Sequence, residues 1–295
     1  MPITRKLLRD ESDIPRIFDL AQSMPLTCRH IIDLPWRLSA LDLHNGRDAA
    51  FWEDSYGKMV GFAACQYPWA VLDFFILPGL EAAVATGLFN WANERFQEKE
   101  WPYPYWIEFR DDSQERRNLA QAHGFLHEDE DRYVWFEHSL ENLPPVPTLP
   151  EGFTLRTLRG EQEVAAYSEL HRAAFESTNM NPEWRARTLH MPTYRSDLDL
   201  VISAPDGSLV GFCVGWFEPS RCMAQVEPIG VHPRFHQHSL GRILLLEILR
   251  RFKEIGATTA FVETYIDGIP ARKAYEAVGF QMTHTIRSRR RGVSN

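Results

Sequence analysis

At 295 residues, with 44% apolar and 24% charged side chains, the chain is long enough for two ordinary domains, each able to bury its own core. Its formal net charge of −8 excludes general affinity for nucleic acid, which needs clustered Lys and Arg, and no apolar run approaches the length of a membrane span. The four cysteines, Cys28, Cys65, Cys213 and Cys222, are scattered and form no C-x-x-C pair, which excludes a disulfide framework and a zinc site.

Met1-Pro2-Ile3-Thr4-Arg5-Lys6 has no charged head followed by an apolar stretch, so a cytoplasmic protein is expected. From there the sequence describes one unit twice. The first copy runs from about residue 3 to 138: a strand, helices, two or three strands, a long helix, a strand, a short helix and a final strand. Its landmarks are Leu8-Arg9-Asp10-Glu11 followed by Ile14, then Val60-Gly61-Phe62, then Gly124-Phe125. After its central strand comes Ile76-Leu77-Pro78-Gly79-Leu80-Glu81. That stretch is too short for a phosphate loop, and an acid at a helix start opposes a bound phosphate. The first copy is therefore expected to be non-catalytic. Glu141 to Gly152, with Pro144, Pro145, Pro147 and Pro150, reads as an extended linker, giving expected domains at 1–142, 143–152 and 153–295.

The second copy repeats the landmarks. Leu158-Arg159-Gly160-Glu161 with Val164, and Val210-Gly211-Phe212, follow at an offset of 150 residues, and Gly279-Phe280 at 155. Phe153 to Leu158 alternates as a strand, Gln162 to Phe175 is helical, and Pro205-Asp206-Gly207 turns a hairpin between Val201-Ile202 and Leu209 to Phe217. Met223 to Val231 is a further strand. Leu245, Ile248, Leu249, Phe252 and Ile255 recur at helical spacing and Gly256 stops the run. Ala260 to Thr264 is a strand, Pro270 opens a short helix that Gly279 caps, and Gln281 to Ile286 is the last strand. The expected fold class is thus mixed α/β, two tandem lobes, each a mostly antiparallel sheet flanked by helices. The Arg287 to Arg291 cluster reads as a solvated last strand and tail rather than a nucleic-acid arm.

The five extra residues of the second copy lie where a strand feeds a tight loop and then a long helix: Val226-Glu227-Pro228-Ile229-Gly230-Val231-His232-Pro233-Arg234-Phe235, then His236-Gln237-His238-Ser239-Leu240-Gly241-Arg242. Loop amides and the unsatisfied amides of a first helical turn form a donor array suited to a pyrophosphate. His232, His236 and His238 do not make a metal site, because Pro233 prevents a helical pair and no carboxylate sits at ligand spacing. No metal is expected.

His236 to Gly241 resembles the pyrophosphate motif of the GNAT superfamily of N-acetyltransferases, Q/R-x-x-G-x-G/A after a strand ending near V-x-P, with His236 in place of Gln or Arg and Ser239 in place of the first Gly. Gly268-Ile269-Pro270-Ala271 and Tyr275-Glu276-Ala277-Val278-Gly279-Phe280 resemble the family's N-x-x-A-x-x-x-Y-x-x-x-G-F, with Gly268 in place of Asn. The resemblance covers residues 153 to 287, and the tandem architecture is similar to that of mycothiol synthase and its relatives. It implies acetyl-coenzyme A as co-substrate and an amine of a small molecule as acceptor. The diphosphate would be held by His236, Gln237, His238, Ser239, Leu240, Gly241 and Arg242, with Gly268 and Arg272 beside it. The pantetheine arm would add to the backbone of Ile229, Gly230 and Val231 as an extra strand.

An amine attacks a thioester only as the free base, so a proton acceptor is needed. Glu227 is the candidate, on the strand ahead of the loop; many relatives carry their glutamate at the position of Gln225, which shares its face by the period of two. Family resemblance assigns Tyr275 the role of proton donor to the thiolate. Phe175, Asn179, Trp184, Tyr194 and Gln225 are candidates for the acceptor site. An acidic protein suits a cationic amine, and a monomer or homodimer with no nucleic-acid or membrane partner is expected. The competing reading is a non-catalytic acyl-coenzyme A binder or sensor, which departures at Ser239 and Gly268 would allow.

Overall fold

The computed structural model describes residues 2–8, 11–41, 47–99, 105–126 and 130–291; Arg9 and Asp10 of the first landmark lie outside them. In chain order the elements are β1 (Thr4–Leu7), α1 (Ile14–Gln22), α2 (Leu34–Ser39), β2 (Ala49–Glu53), β3 (Met59–Gln66), β4 (Val71–Ile76), α3 (Glu81–Glu98), β5 (Trp106–Arg110), α4 (Gln114–Ala122), β6 (Glu130–His138), β7 (Thr154–Thr157), α5 (Val164–Phe175), α6 (Pro182–Leu189), β8 (Asp199–Ser203), β9 (Leu209–Glu218), β10 (Met223–Val231), α7 (Leu240–Glu254), β11 (Thr259–Tyr265), α8 (Ile269–Glu276) and β12 (Gln281–Arg290). Among the described residues no helix is long and apolar enough to cross a membrane.

The chain forms two compact units, one of residues up to Arg132 together with those from His284 on, the other Tyr133–Thr283. In the first, β1 to β4 pair antiparallel in sequence order, β5 lies parallel to β4, and β12 runs antiparallel to β5. In the second, β7 to β10 pair antiparallel, β11 lies parallel to β10, and β6 runs antiparallel to β11 from Ala260↔His138 to Tyr265↔Tyr133. Each unit thus takes the strand beyond its parallel pair from the other half of the sequence. The chain passes between units at Arg132 rather than in the proline-rich segment. That segment is extended, as its prolines require, but Leu143, Val146 and Leu149 pack against the core of the second unit.

The repeated Val-Gly-Phe landmark has a packing cause. A Cβ on Gly61 would lie 2.7 Å from Val84 of α3, and one on Gly211 would lie 3.1 Å from Leu244 of α7. In both units the glycine lets the long helix seat on the middle of the sheet. Gly215 repeats the device one turn further on, beneath Phe252 and Ile248, and the buried Leu245, Ile248, Leu249 and Phe252 form the stripe that covers the sheet. Gly256, at φ +93°, ends the helix in the left-handed region that glycine reaches without strain.

Opposite α7, α5 and α6 cover the other face of the second sheet. Arg185 of α6 is fully buried and paired with the equally buried Asp199 of β8, and its guanidinium lies 3.9 Å from the centre of the Tyr167 ring. Removing one partner of a buried pair strands a charge, at a cost of about 3–5 kcal/mol. Arg185→Ala is therefore expected to lower urea-unfolding stability by that order, and Arg185→Met with Asp199→Asn by much less.

Candidate active site

The site begins where β10 and β11 part. The two strands pair in parallel only from Met223↔Thr259 to Val226↔Val262, although β10 continues to Val231 and β11 to Tyr265. On its outer edge β10 stays paired with β9, from Ile229↔Cys213 to Val231↔Gly211, and β11 stays paired with β6. From Glu227 onward the inner edges of the two strands therefore face a wedge with no strand in it. The sequence supplies the cause: Pro228 has no N–H for a ladder bond, and the register of β10 skips between Val226 and Ile229, a bulge that bends the strand away. Trp216 Nε1 donates to the Glu227 carbonyl at 2.6 Å and holds the bulge in place.

The wedge opens toward the loop. Pro233–His238 is a 3-10 helix of six residues, and no residue from Ile229 to Ser239 is buried. Ser239 has φ +56° and ψ +18° at the N-cap of α7, a left-handed conformation that glycine, the residue of the resembling motif, reaches without strain. His236 Nε2 donates to the Val231 carbonyl at 3.0 Å, and His232 Nδ1 accepts from the Arg234 amide at 3.2 Å. His238 packs with Phe235 and Phe153, at 5.8 and 5.6 Å between ring centres. Two of the three loop histidines thus serve the loop's own backbone and the third packs on aromatic rings. A Cβ on Gly241 would meet nothing closer than Val231 at 3.7 Å. Arg234 and Arg242 are exposed and form no ion pair among the described residues. The amides of Leu240, Gly241 and Arg242 belong to the first turn of α7 and have no intrahelical acceptor. Left-handed backbone costs an L-residue about 1–2 kcal/mol, part of which glycine's larger unfolded entropy takes back. Ser239→Gly is expected to raise stability by roughly 0.5–1 kcal/mol, read by thermal unfolding.

Tyr275 enters from α8. It is buried, with Phe136 and Phe280 around its ring at 5.8 and 6.0 Å. Burial, then the nearby Glu227 carboxylate, then Cys213, push its hydroxyl above the ordinary tyrosine range. The two expected catalytic groups are therefore electrostatic neighbours, and the Tyr275 hydroxyl stays protonated at any physiological pH. Gly268 sits at the N-cap of α8, where a Cβ would lie 2.9 Å from Thr264 Oγ1 and 3.0 Å from the Tyr265 carbonyl. An asparagine in the family's manner does not fit this turn unchanged. Arg272 Nη1 donates to the Ile266 carbonyl at 2.8 Å, so its guanidinium braces the same turn.

The acceptor candidates divide. Phe175, the last residue of α5, is 47% exposed and packs 6.0 Å from Phe212 and 4.7 Å from His171. Asn179 is exposed in the following loop. Gln225 lies on the face of Glu227, opposite Trp216, and is buried with no partner for its Oε1 among the described residues. Trp184 and Tyr194 are structural instead. The Trp184 side chain is buried while its amide is capped by Asn181, and the Tyr194 hydroxyl donates to Asp199 at 2.7 Å. Sequence reasoning passed over His171, one helical turn before Phe175. Burial, then Arg185 and Arg172, hold its imidazole down at about 3, so it is a poor proton acceptor.

The first unit has the same frame with the site filled. By the shared offset, Phe62↔Phe75 corresponds to Phe212↔Gly230, so a phenyl ring stands where the second unit has glycine. α3 starts at Glu81, whose carboxylate accepts the Gly79 amide at 3.0 Å and occupies the helix N-terminus. Arg116 takes the place of Ala271 by the Gly-Phe offset, and its Nη2 donates to the Phe74 carbonyl at 2.9 Å. Asp73 is held in a buried pair with Arg37 at 2.8 Å.

Among the described residues, one group has metal-ligand types within reach of one another, Asp111, Asp112 and His284 of the first unit; Arg110 already bonds Asp112 and His284.

Residues 164–280 match the acetyltransferase (GNAT) family model. A mycothiol acetyltransferase of Streptomyces bingchenggensis is 30% identical over 148 residues, 48% of this chain and 47% of that protein; the chain thus spans about half the length of the curated relatives it matches. Among solved structures, a GCN5-related N-acetyltransferase from Sphaerobacter thermophilus superposes with TM-score 0.61 at 20% identity, covering 99% of this chain and 97% of that one. A tandem GNAT protein from the clavulanic acid biosynthesis pathway superposes with TM-score 0.64 at 16% identity over 100% of both chains. The second unit thus matches the acetyltransferase (GNAT) family model over residues 164–280, and the chain as a whole shares the fold of these structures.

Proposed function

We propose that the second unit transfers an acetyl group from acetyl-coenzyme A to the amine of a small molecule. The observation that carries this reading is the wedge: β10 offers the inner edge of Ile229, Gly230 and Val231 to no strand of the protein, and it leads to an open loop and a helix N-terminus. That edge suits the amides of a pantetheine arm, and the first-turn amides of α7, with Arg242 and Arg234 nearby, suit a diphosphate. The relatives named mycothiol acetyltransferase support a small-molecule acceptor.

Glu227 takes the proton of the attacking amine, directly or through one water, as the new C–N bond forms. The C–S bond breaks, and Tyr275 supplies the proton that the departing thiolate takes up. Phe175, Asn179 and Gln225 border the acceptor's approach. Tyr275→Phe is expected to reduce kcat about 10- to 100-fold, with the largest loss for acyl donors whose thiols are the most basic.

Release of free coenzyme A thiol, assayed with acetyl-coenzyme A and a panel of primary amines, tests the reading. Amine-dependent thiol release supports it. Stabilisation by acetyl-coenzyme A with no turnover for any amine would instead favour the non-catalytic binder.

A further inference from the structure

The far wall of the second unit's wedge has a chemistry that the transfer reaction itself does not use. β11 and β6 pair Phe261↔Glu137, Glu263↔Trp135 and Tyr265↔Tyr133, and directly opposed residues of an antiparallel pair lie on one face. The parallel pairing Gln225↔Phe261 continues that face onto β10, where Glu227 follows Gln225 by the period of two. Across the three strands this face carries Glu137, Glu227 and Glu263 and, among the described residues, no lysine or arginine.

Two details narrow what such a face receives. The rings of Tyr265 and Tyr133 stack at 4.8 Å between centres; Tyr133 is buried, whereas Tyr265 stays 52% exposed. An exposed aromatic ring beside acids attracts a cation to its face. Gln225 is 1% exposed, and its Oε1 has no hydrogen-bond partner among the described residues. A buried acceptor is rarely left without a donor, and the N–H of an amine supplies one.

We propose that the acceptor carries two cationic groups, as a linear diamine does: one amine meets Glu227 and Gln225 and is acetylated, and the second ammonium lies against Glu263 and the Tyr265 ring. The inference rests on the transfer reaction proposed above. Register gives the length. The last parallel pair is Val226↔Val262, so Glu227 and Glu263 follow it on either side of the wedge, and Tyr265 lies two residues further along β11, about 6–7 Å. A four- or five-carbon chain between nitrogens spans that distance. Both nitrogens are charged at neutral pH, as a lysine is, and only the one beside Glu227 has to lose its proton to react. An acceptor with a carboxylate tail meets these acids unfavourably, and a neutral tail gains nothing from Glu263.

Titration calorimetry of the intact protein with 1,5-diaminopentane and with n-pentylamine, which differ only in the second nitrogen, tests it. The diamine is expected to bind about tenfold or more tighter than the monoamine, and that ratio should fall at least about fivefold in Glu263→Gln and in Tyr265→Leu. Tyr265→Leu changes an exposed side chain and serves if Glu263→Gln fails to fold. Equal affinity for the two amines, no binding of the diamine, equally tight binding of 5-amino-1-pentanol, or a ratio unchanged in both variants would overturn the proposal. Thiol release from acetyl-coenzyme A separates the two claims. A diamine preference in binding without release supports the diamine site and counts against transfer, whereas release with amines but no diamine preference does the reverse.

Discussion

Glu227→Gln is expected to lower kcat for acetyl transfer about 10²- to 10⁴-fold while leaving KM for acetyl-coenzyme A within about twofold. The substitution keeps the shape of the side chain and the bulge at Pro228, which the Trp216 indole holds through the backbone. It removes the one group on that face suited to take a proton, since His171 is held at about 3 by burial and neighbouring arginines. The pH profile gives a second reading. In the native protein kcat/KM should rise with pH as the proton acceptor and the amine become free bases, and then level off. Tyr275 is held above its ordinary range, so it stays protonated and contributes no alkaline fall below about pH 10. In the variant, the residual rate should follow the free-base fraction of the acceptor alone.

Ala271→Arg is expected to weaken acetyl-coenzyme A binding at least about 100-fold, roughly 2.7 kcal/mol, with the fold preserved. The first unit already shows what an arginine does at this position. Arg116 reaches across its wedge to the Phe74 carbonyl, and Phe74, paired with Ala63, corresponds to Ile229, paired with Cys213. An arginine at 271 would thus satisfy the strand edge that the pantetheine arm would otherwise pair with. Titration calorimetry with acetyl-coenzyme A checks it, beside a far-ultraviolet spectrum to show the protein is folded. Tight binding by the variant would mean that the arm does not follow β10.

Much of the second unit was legible in its residues. Helical spacing of Leu245 to Phe252 fixed α7, Pro205-Asp206-Gly207 fixed the hairpin of β8 and β9, and Met223 to Val231 is a strand over the expected span. Ser239 adopts the left-handed backbone that the glycine of the resembling motif implies. What the sequence did not show was partnership. Alternation tells which face of a strand is buried and not which neighbour it pairs with, so the placement of residues 133–138 beside β11 and of 286–290 beside β5 was invisible. Trp184 and Tyr194 read as acceptor contacts because aromatic side chains in a helix-loop segment suit a ligand. Only the tertiary pairing of Tyr194 with Asp199 and the burial of Trp184 make them structural. Nothing in the residues around Arg116 singles it out; only its hydrogen bond to the Phe74 carbonyl and the Gly-Phe offset, which sets it on Ala271, do so.

Calorimetric titration of the intact protein with coenzyme A tests most directly whether the wedge and loop of the second unit hold the cofactor. One site per chain is expected, with Kd on the order of 1–100 μM, and binding should vanish in Ala271→Arg. No heat of binding, or two equivalent sites per chain, would contradict it.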